Sequence, residues 1–364
     1  MAESGKYFDY NATTPMSGAA RAAWIEANDE YWQNPSSLYR EAGRARMVLE
    51  EWREELADLF EIDEPERVVF TSGATEANNA IIRHLARDRK TRIAMSAVEH
   101  PCVDAAVKRE FSPGQLREAT SMDVLEQWIR EGEVDVVSLM AANNETGEIF
   151  PWEKISALCS ENRVSFHTDA AQWIGKMPLE GLGQCGFVTG SGHKFCGGKG
   201  VGFLLLPESE ADFCSSVGGP QENGFRAGTE NLPAIAAMVT ALREARSGDA
   251  TGRDFFEQEI AEKVGARMIA GDAPRLWNTS MFLLPHSKNL KWLTRLSARG
   301  FSVSTGSACS AGQGNPSRVM AARGLDFDEM SRVIRVSGGW ETTLDDWTAL
   351  AESFAEVDAE LRNQ

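Results

Sequence analysis

The chain reads as an α/β protein with a mostly parallel sheet, followed by a smaller α+β unit. Three observations predict this. Short apolar, β-branched stretches alternate with helical stretches through the first part of the chain, and such alternation builds parallel sheets covered on both faces by helices. A composition shift over residues 243–253, rich in Arg, Asp, Gly and Ala, then marks a boundary to a shorter run of mixed elements. The length of 364 residues also exceeds one ordinary domain of roughly 100–200 residues.

The elements follow in order. Residues 40–59, rich in Ala, Leu, Glu and Arg, form an amphipathic helix. Residues 67–70 form a strand that runs into Thr-Ser-Gly and a helix over 74–87. A strand over 92–96 precedes a helix over 102–109, and the β-branched run 134–140 precedes a helix over 155–161. Strands over 164–168, 187–190 and 202–206 complete the first part. Beyond the boundary, 254–269 reads as a helix, 278–284 as a strand, 290–299 as a helix, 332–337 as a strand and 344–361 as a closing helix. No repeat, low-complexity tract or Pro-rich linker interrupts this. Ligands bind such sheets outside the carboxyl ends of the strands, so the residues just after each strand are the site candidates.

Composition narrows the partners. The formal charge is −17, from 54 acidic and 37 basic residues, which disfavours nucleic acid and anionic membrane surfaces. Apolar residues make up 42%, enough for a large core. The longest apolar run, 201–206, falls far short of the ~20 residues of a membrane helix. The opening Met-Ala-Glu-Ser-Gly lacks the basic-then-apolar pattern of a secretory leader. A cytoplasmic protein is expected. The six cysteines, at 102, 159, 185, 196, 214 and 309, show no C-x(2–4)-C spacing, so no metal site is expected, nor a disulfide framework.

Several strand ends carry chemistry. Small residues over 71–76, including Ala74 and Thr75, let N–H groups and hydroxyls converge on an anion at a helix N-terminus; an ordinary capped helix start is the plainer alternative. His100 sits in Glu99-His100-Pro101 after a strand, and Asn144 in the run 143–147 after another; both also read as structural, a lone histidine and a polar turn. Asp169 ends a strand with Gln172 three residues on, either as a helix cap or as a carboxylate that pairs with a protonated ring nitrogen. Ser191-Gly192-His193-Lys194 places a lysine in apolar, glycine-rich chain. A desolvated lysine becomes a nucleophile able to form a Schiff base. Lys199, in Gly-Gly-Lys-Gly, is the rival lysine. Cys309 lies in the small-residue loop 304–312, a setting for an accessible thiol rather than a core cysteine. Arg335, on a strand, has the fork geometry that clamps a carboxylate.

The order and spacing of these residues resemble the class V aminotransferases, fold type I of the pyridoxal-phosphate enzymes, and within them the cysteine desulfurases of the NifS/IscS type. The resemblance runs from Tyr7-Phe8-Asp9-Tyr10-Asn11-Ala12-Thr13-Thr14-Pro15 to Arg335-Val336-Ser337-Gly338. It includes Asn34-Pro35-Ser36-Ser37, residues 71–79, Glu99-His100, 143–147, Asp169-Ala170-Ala171-Gln172, 191–194, Arg226-Ala227-Gly228-Thr229-Glu230-Asn231 and 306–309.

The resemblance implies a large cofactor domain over 16–248 with a mostly parallel seven-stranded sheet, and a small domain from 1–15 and 249–364 carrying the thiol loop. It implies that Lys194 carries pyridoxal 5'-phosphate as a Schiff base, that His100 stacks on the ring and helps to move protons, and that Asp169 pairs with the ring nitrogen. Gln172 and Asn144 contact the ring hydroxyl, and Ala74, Thr75, Ser191 and His193 hold the phosphate. Thr229 reaches the phosphate of a neighbouring subunit, so a homodimer is implied. Arg335, helped by Asn34 and Asn144, anchors the carboxylate of L-cysteine. Lys194 removes the α-proton, Cys309 takes the sulfur as a persulfide, alanine leaves, and the sulfur passes to an acceptor protein, an iron–sulfur scaffold or a tRNA-thiolation protein.

The chain departs from the pattern at Tyr39, where the family has histidine, and the stretches 112–121 and 247–274 are short. It ends soon after the closing helix, whereas housekeeping members dock their scaffold through a C-terminal extension. Two other readings stay open at this stage. One is a class V relative with different chemistry, a selenocysteine lyase or an aminotransferase. The other is a catalytically silent scaffold protein.

Overall fold

The computed structural model describes residues 6–208, 210, 212–306 and 317–363. The chain divides into two compact units. The larger comprises residues 15–141 and 150–246, the smaller 1–14, 142–149 and 247–364. Residues 142–149, placed by the sequence inside the large domain, thus belong to the smaller unit.

The larger unit is built on seven strands in the order Val68–Thr71, Gly202–Leu205, Phe187–Ser191, Ser165–Asp169, Val136–Ser138, Ile93–Ser96, Leu116–Ala119. Gly202–Leu205 is antiparallel to both neighbours and the remaining pairs are parallel. Apart from the first residue, Ser165, of Ser165–Asp169, the inner strands are buried along their length. Burial on both faces removes polar alternation, so such strands read as unbroken apolar runs whose ends are hard to place. That is why 134–140 is expected as strand while the ladder covers only Val136–Ser138.

Three helices of this unit escape sequence reading: Met122–Arg130, and two more, Gly18–Glu30 and Leu232–Arg243, for opposite reasons. Gly18–Glu30 buries only Ala20 and Ala27 and leaves Trp24 and Ile25 exposed, so it has no apolar stripe. Leu232–Arg243 is apolar on nearly all sides and mostly buried, so it has no polar face to mark the period. Its start is signalled instead by Asn231, whose side chain accepts from the Ala234 N–H, and by proline in the first turn.

The smaller unit pairs Thr279–Leu283 antiparallel with Val333–Ser337 on one side and Arg267–Met268 on the other. A second, two-stranded pairing joins Lys6–Tyr7 to Phe301–Ser302 in parallel. Helices Thr251–Val264, Asn289–Ala298 and Leu344–Arg362 flank an aromatic core of Phe256, Phe282, Trp292, Trp347 and Phe354. The helix expected over 254–269 stops at Val264, because Gly265 takes a left-handed conformation (φ 77°) that ends it and frees the next residues to pair as a strand.

One buried ion pair fixes the strand that leads to the site. Arg53, from the helix Arg40–Leu59, holds both carboxylate oxygens of Glu222 at 2.8 and 3.0 Å and also donates to the Val68 carbonyl. Glu222 in turn accepts from the Phe70 N–H at 2.7 Å. Helix, strand and the 222–224 turn are locked together by one guanidinium. Arg53→Met would leave the Glu222 carboxylate buried and unpaired. It should lower stability by about 3–5 kcal/mol, read as a fall in the urea midpoint with an unchanged slope.

Candidate functional site

The strand Val68–Thr71 ends at Ser72-Gly73, and the helix Ala74–Leu85 begins at once. Gly73 adopts φ 149° and no side chain caps this helix. Its first-turn N–H groups, at Ala74 and Thr75, therefore keep their donor capacity for an external anion. The turn fits against the neighbouring strand because residue 202 is also glycine: a Cβ there would come within 2.6 Å of the Gly73 Cα. A Cβ on Gly73 would in turn stand 3.5 Å from the Ser191 Oγ. An uncapped helix start thus lies beside the buried Ser191. Two residues beyond Ser191, burial pushes His193 down to about 4, helped by the positive charges of Lys194, Lys199 and Lys176. It is a neutral imidazole at pH 7.

Asp169 closes its strand with a buried carboxylate. Oδ1 accepts from the Ala171 N–H at 3.0 Å and Oδ2 from the Asn78 side-chain amide at 2.8 Å. Asn78 is fully buried. Its other amide hydrogen points to the Cys102 Sγ at 3.3 Å, and its oxygen faces Thr189 Oγ1 at 2.8 Å and His167 Nε2 at 2.9 Å. His167 Nδ1 lies 2.9 Å from Ser138 Oγ. His100 caps the helix Pro101–Glu110, its Nδ1 accepting from the Cys102 N–H. The ligand-type atoms of His100, Cys102 and Asp169 all lie within 4.8 Å of one another. Burial lowers the His100 pKa; Asp169 opposes this and Lys194 adds to it, so both charges act on the ring. Burial, with the Asp169 charge, also lifts the Cys102 thiol to about 12.

Gln172 is buried and accepts from the Nζ of Lys176, itself fully buried, at 2.5 Å. An ammonium can only donate. The Gln172 oxygen is therefore turned to Lys176. Lys194 is half-buried while Lys199 is exposed, which separates the two rival lysines.

In the smaller unit Arg335 is buried and donates from Nη2 to Asp9 Oδ1 at 2.5 Å and from Nη1 to the Asn144 carbonyl at 2.8 Å. Its Nε is buried with no partner among the described residues. In the same run as Asn144, Glu145 accepts from Ser317 Oγ, and burial raises its carboxyl pKa above the usual range.

Asp169, His100, Gln172, Ser191, His193, Lys194, Ala74 and Thr75 all fall in the larger unit, Asn144 and Arg335 in the smaller. Asn34 is exposed and its side-chain oxygen accepts from the Ser36 N–H. Thr229 is exposed on the loop before Leu232–Arg243. Cys309 lies outside the described residues. Sequence reasoning passed over Asn78, Cys102, His167 and Lys176. His167 shares the inward face with Asp169 two residues on, and Lys176 interrupts an apolar run as Lys194 does, so both had a readable signal.

These residues fit pyridoxal phosphate: a buried, doubly hydrogen-bonded carboxylate suits a protonated ring nitrogen, and an uncapped helix start suits a phosphate. The chain matches the class-V aminotransferase family over residues 6–350. It is 34% identical to a cysteine desulfurase of Rhodobacter capsulatus over all of this chain and 98% of that one. It is 32% identical to the cysteine desulfurase IscS of Dictyoglomus turgidum, covering 98% and 95%. Among solved structures, a NifS-like protein superposes with a TM-score of 0.87 at 27% identity, covering 98% of this chain and all of the other. SspA in complex with cysteine does so with 0.78 at 30% identity, covering 91% and 98%. The chain belongs to the class-V aminotransferase family of pyridoxal-phosphate enzymes. Within that family it is a cysteine desulfurase, an enzyme that removes sulfur from cysteine.

The buried His167 carries a prediction. Burial depresses its pKa from 6.5 to about 4, with Asp169 opposing. Between those values the unfolded chain binds a proton that the native state refuses. Stability therefore falls as pH drops from about 6.5 to 4, by about 3 kcal/mol from this group, and is unaffected by it above pH 7. Urea melts of wild type and His167→Gln at pH 4.5 and 7 should show a smaller acid loss in the variant.

Proposed function

We propose that the two units supply distinct parts of one desulfurase reaction. The larger holds the cofactor and moves the proton. The smaller anchors the substrate and receives its sulfur. The observation that carries this is the Asp169 carboxylate, buried and fed by two N–H donors, with His100 and Lys194 close enough to act on one another.

When bound, pyridoxal phosphate supplies an electron sink that makes the α-proton of cysteine acidic and loosens its carbon–sulfur bond. Asp169, as an anion, keeps the ring nitrogen protonated. Ala74, Thr75, Ser191 and His193 hold the phosphate, with neutral His193 donating rather than adding charge. Gln172 would contact the ring oxygen. Lys194 Nζ would attach the cofactor and, once the amine of cysteine has displaced it, would take the α-proton of cysteine. His100, neutral through burial, packs on the ring. Arg335 keeps Nη2 on Asp9 and Nη1 on the Asn144 carbonyl, and offers its buried Nε to the substrate carboxylate. Cys309, as thiolate, forms a bond to the substrate sulfur as the carbon–sulfur bond breaks, leaving alanine and a persulfide that passes to an acceptor protein.

The working form is a cytoplasmic homodimer. Trp32, Leu38, Tyr39 and Met47 on neighbouring segments, with Val217, are exposed apolar side chains, and Gln221 ties the last of these loops to Ser36. Such a set is covered in a stable protein by a partner. A second copy covering it also gives Thr229 a neighbour to reach.

Three outcomes test the reading. Cys309→Ala should keep the yellow cofactor and lose alanine formation from L-cysteine; unchanged turnover would instead indicate a lyase or aminotransferase. Borohydride reduction followed by peptide mass spectrometry should place the phosphopyridoxyl group on Lys194, and an adduct on Lys199 would refute the assignment. Arg335→Lys, whose single ammonium cannot hold Asp9 and the Asn144 carbonyl while also reaching the substrate carboxylate, should raise KM for cysteine by about tenfold or more.

A further inference from the structure

The hydrogen bonds behind Asp169 have only one consistent direction. A carboxylate accepts, so the Asn78 atom 2.8 Å from Asp169 Oδ2 is its nitrogen and the other amide atom is oxygen. That oxygen also accepts, so both of its other neighbours must donate: Thr189 through its hydroxyl and His167 through Nε2. A neutral imidazole with its proton on Nε2 has a lone pair on Nδ1. Ser138 must then donate its hydroxyl proton to Nδ1. Every member is buried, so no water is at hand to supply an alternative partner. From Ser138 through His167 and Asn78 each proton points towards Asp169. The second Asn78 N–H on the Cys102 sulfur satisfies all four bonds the amide can make.

We propose that His167 is a positioning residue for the cofactor: by donating from Nε2 to the Asn78 oxygen it pins the amide with N–H towards Asp169, and so keeps that carboxylate an acceptor-only anion. A protonated Asp169 would set O–H against N–H at Oδ2. The array therefore selects the charge state on which the pairing with the ring nitrogen depends. The inference rests on the role given to Asp169 above. Without His167 the Asn78 oxygen keeps only Thr189, and a flipped amide, oxygen to carboxylate, comes within reach.

The direct test is neutron diffraction from the pyridoxal-phosphate-loaded enzyme exchanged into D2O. Deuterium is expected on His167 Nε2 and on Ser138 Oγ towards Nδ1, with none on Asp169. Deuterium on His167 Nδ1 overturns the proposal. The functional test compares His167→Leu with His167→Gln, whose amide nitrogen can replace Nε2–H. The leucine variant should release cofactor about tenfold faster on dialysis and lose about tenfold in kcat with KM nearly unchanged, while the glutamine variant recovers most of both. A leucine variant like wild type, or a glutamine variant as impaired as leucine, refutes the proposal. If neither variant folds, the deuterium positions in the wild-type enzyme decide. Asp169→Asn separates the two levels: loss of cofactor there with a wild-type-like His167→Leu sinks only the role of His167, whereas an intact Asp169→Asn removes the reading beneath it.

Discussion

The polar interior of the larger unit turns on one amide. Asn78 sits on the helix Ala74–Leu85, and it touches two adjacent strands through His167, Asp169 and Thr189. A buried amide with four correct partners is rigid, and with three it becomes a liability, because a stranded donor or acceptor costs 1–3 kcal/mol in a dry interior. The fold satisfies this by placing its neighbours on strands, where position is set by the backbone ladder. Helix start, strand ends and carboxylate are consequently one rigid body rather than separate loops brought near each other.

A second constraint acts through lysines and charge. The larger unit buries Lys176 and half-buries Lys194 near two histidines whose pKa values burial lowers. Like charges at close range favour the neutral forms of those rings. The site thereby reaches physiological pH with uncharged imidazoles beside an amine and a carboxylate. Protons there have defined owners: sulfur on Cys102, Nε2 on His167, neutral rings at His100 and His193.

Much of this was legible in the sequence, for a physical reason. Strand-end residues such as Asp169, Ser191 and Lys194 stand out because polar groups interrupt apolar runs, and the alternating elements place them on one edge of the sheet. The resemblance then supplied roles no spacing could. Asn78 was missed because, read alone, it is an ordinary polar residue in a helix, and only the fold sets it against His167, Asp169 and Thr189. The helix Gly18–Glu30 was missed because its inward face is alanine, too weak a signal for any pattern. Residues 142–149 escaped because a short excursion between units leaves no mark in composition.

The pairing of Arg335 with Asp9 has a consequence for biosynthesis. Asp9 lies near the start of the chain, in a segment whose Phe8 and Tyr10 backbones bond to Ser337 close to its other end. A ribosome releases these partners in sequence, so the guanidinium meets its counter-ion only after some three hundred intervening residues have been made. Until then the carboxylate clamp does not exist, and a nascent chain stalled before that strand emerges holds no finished anchor for an amino acid.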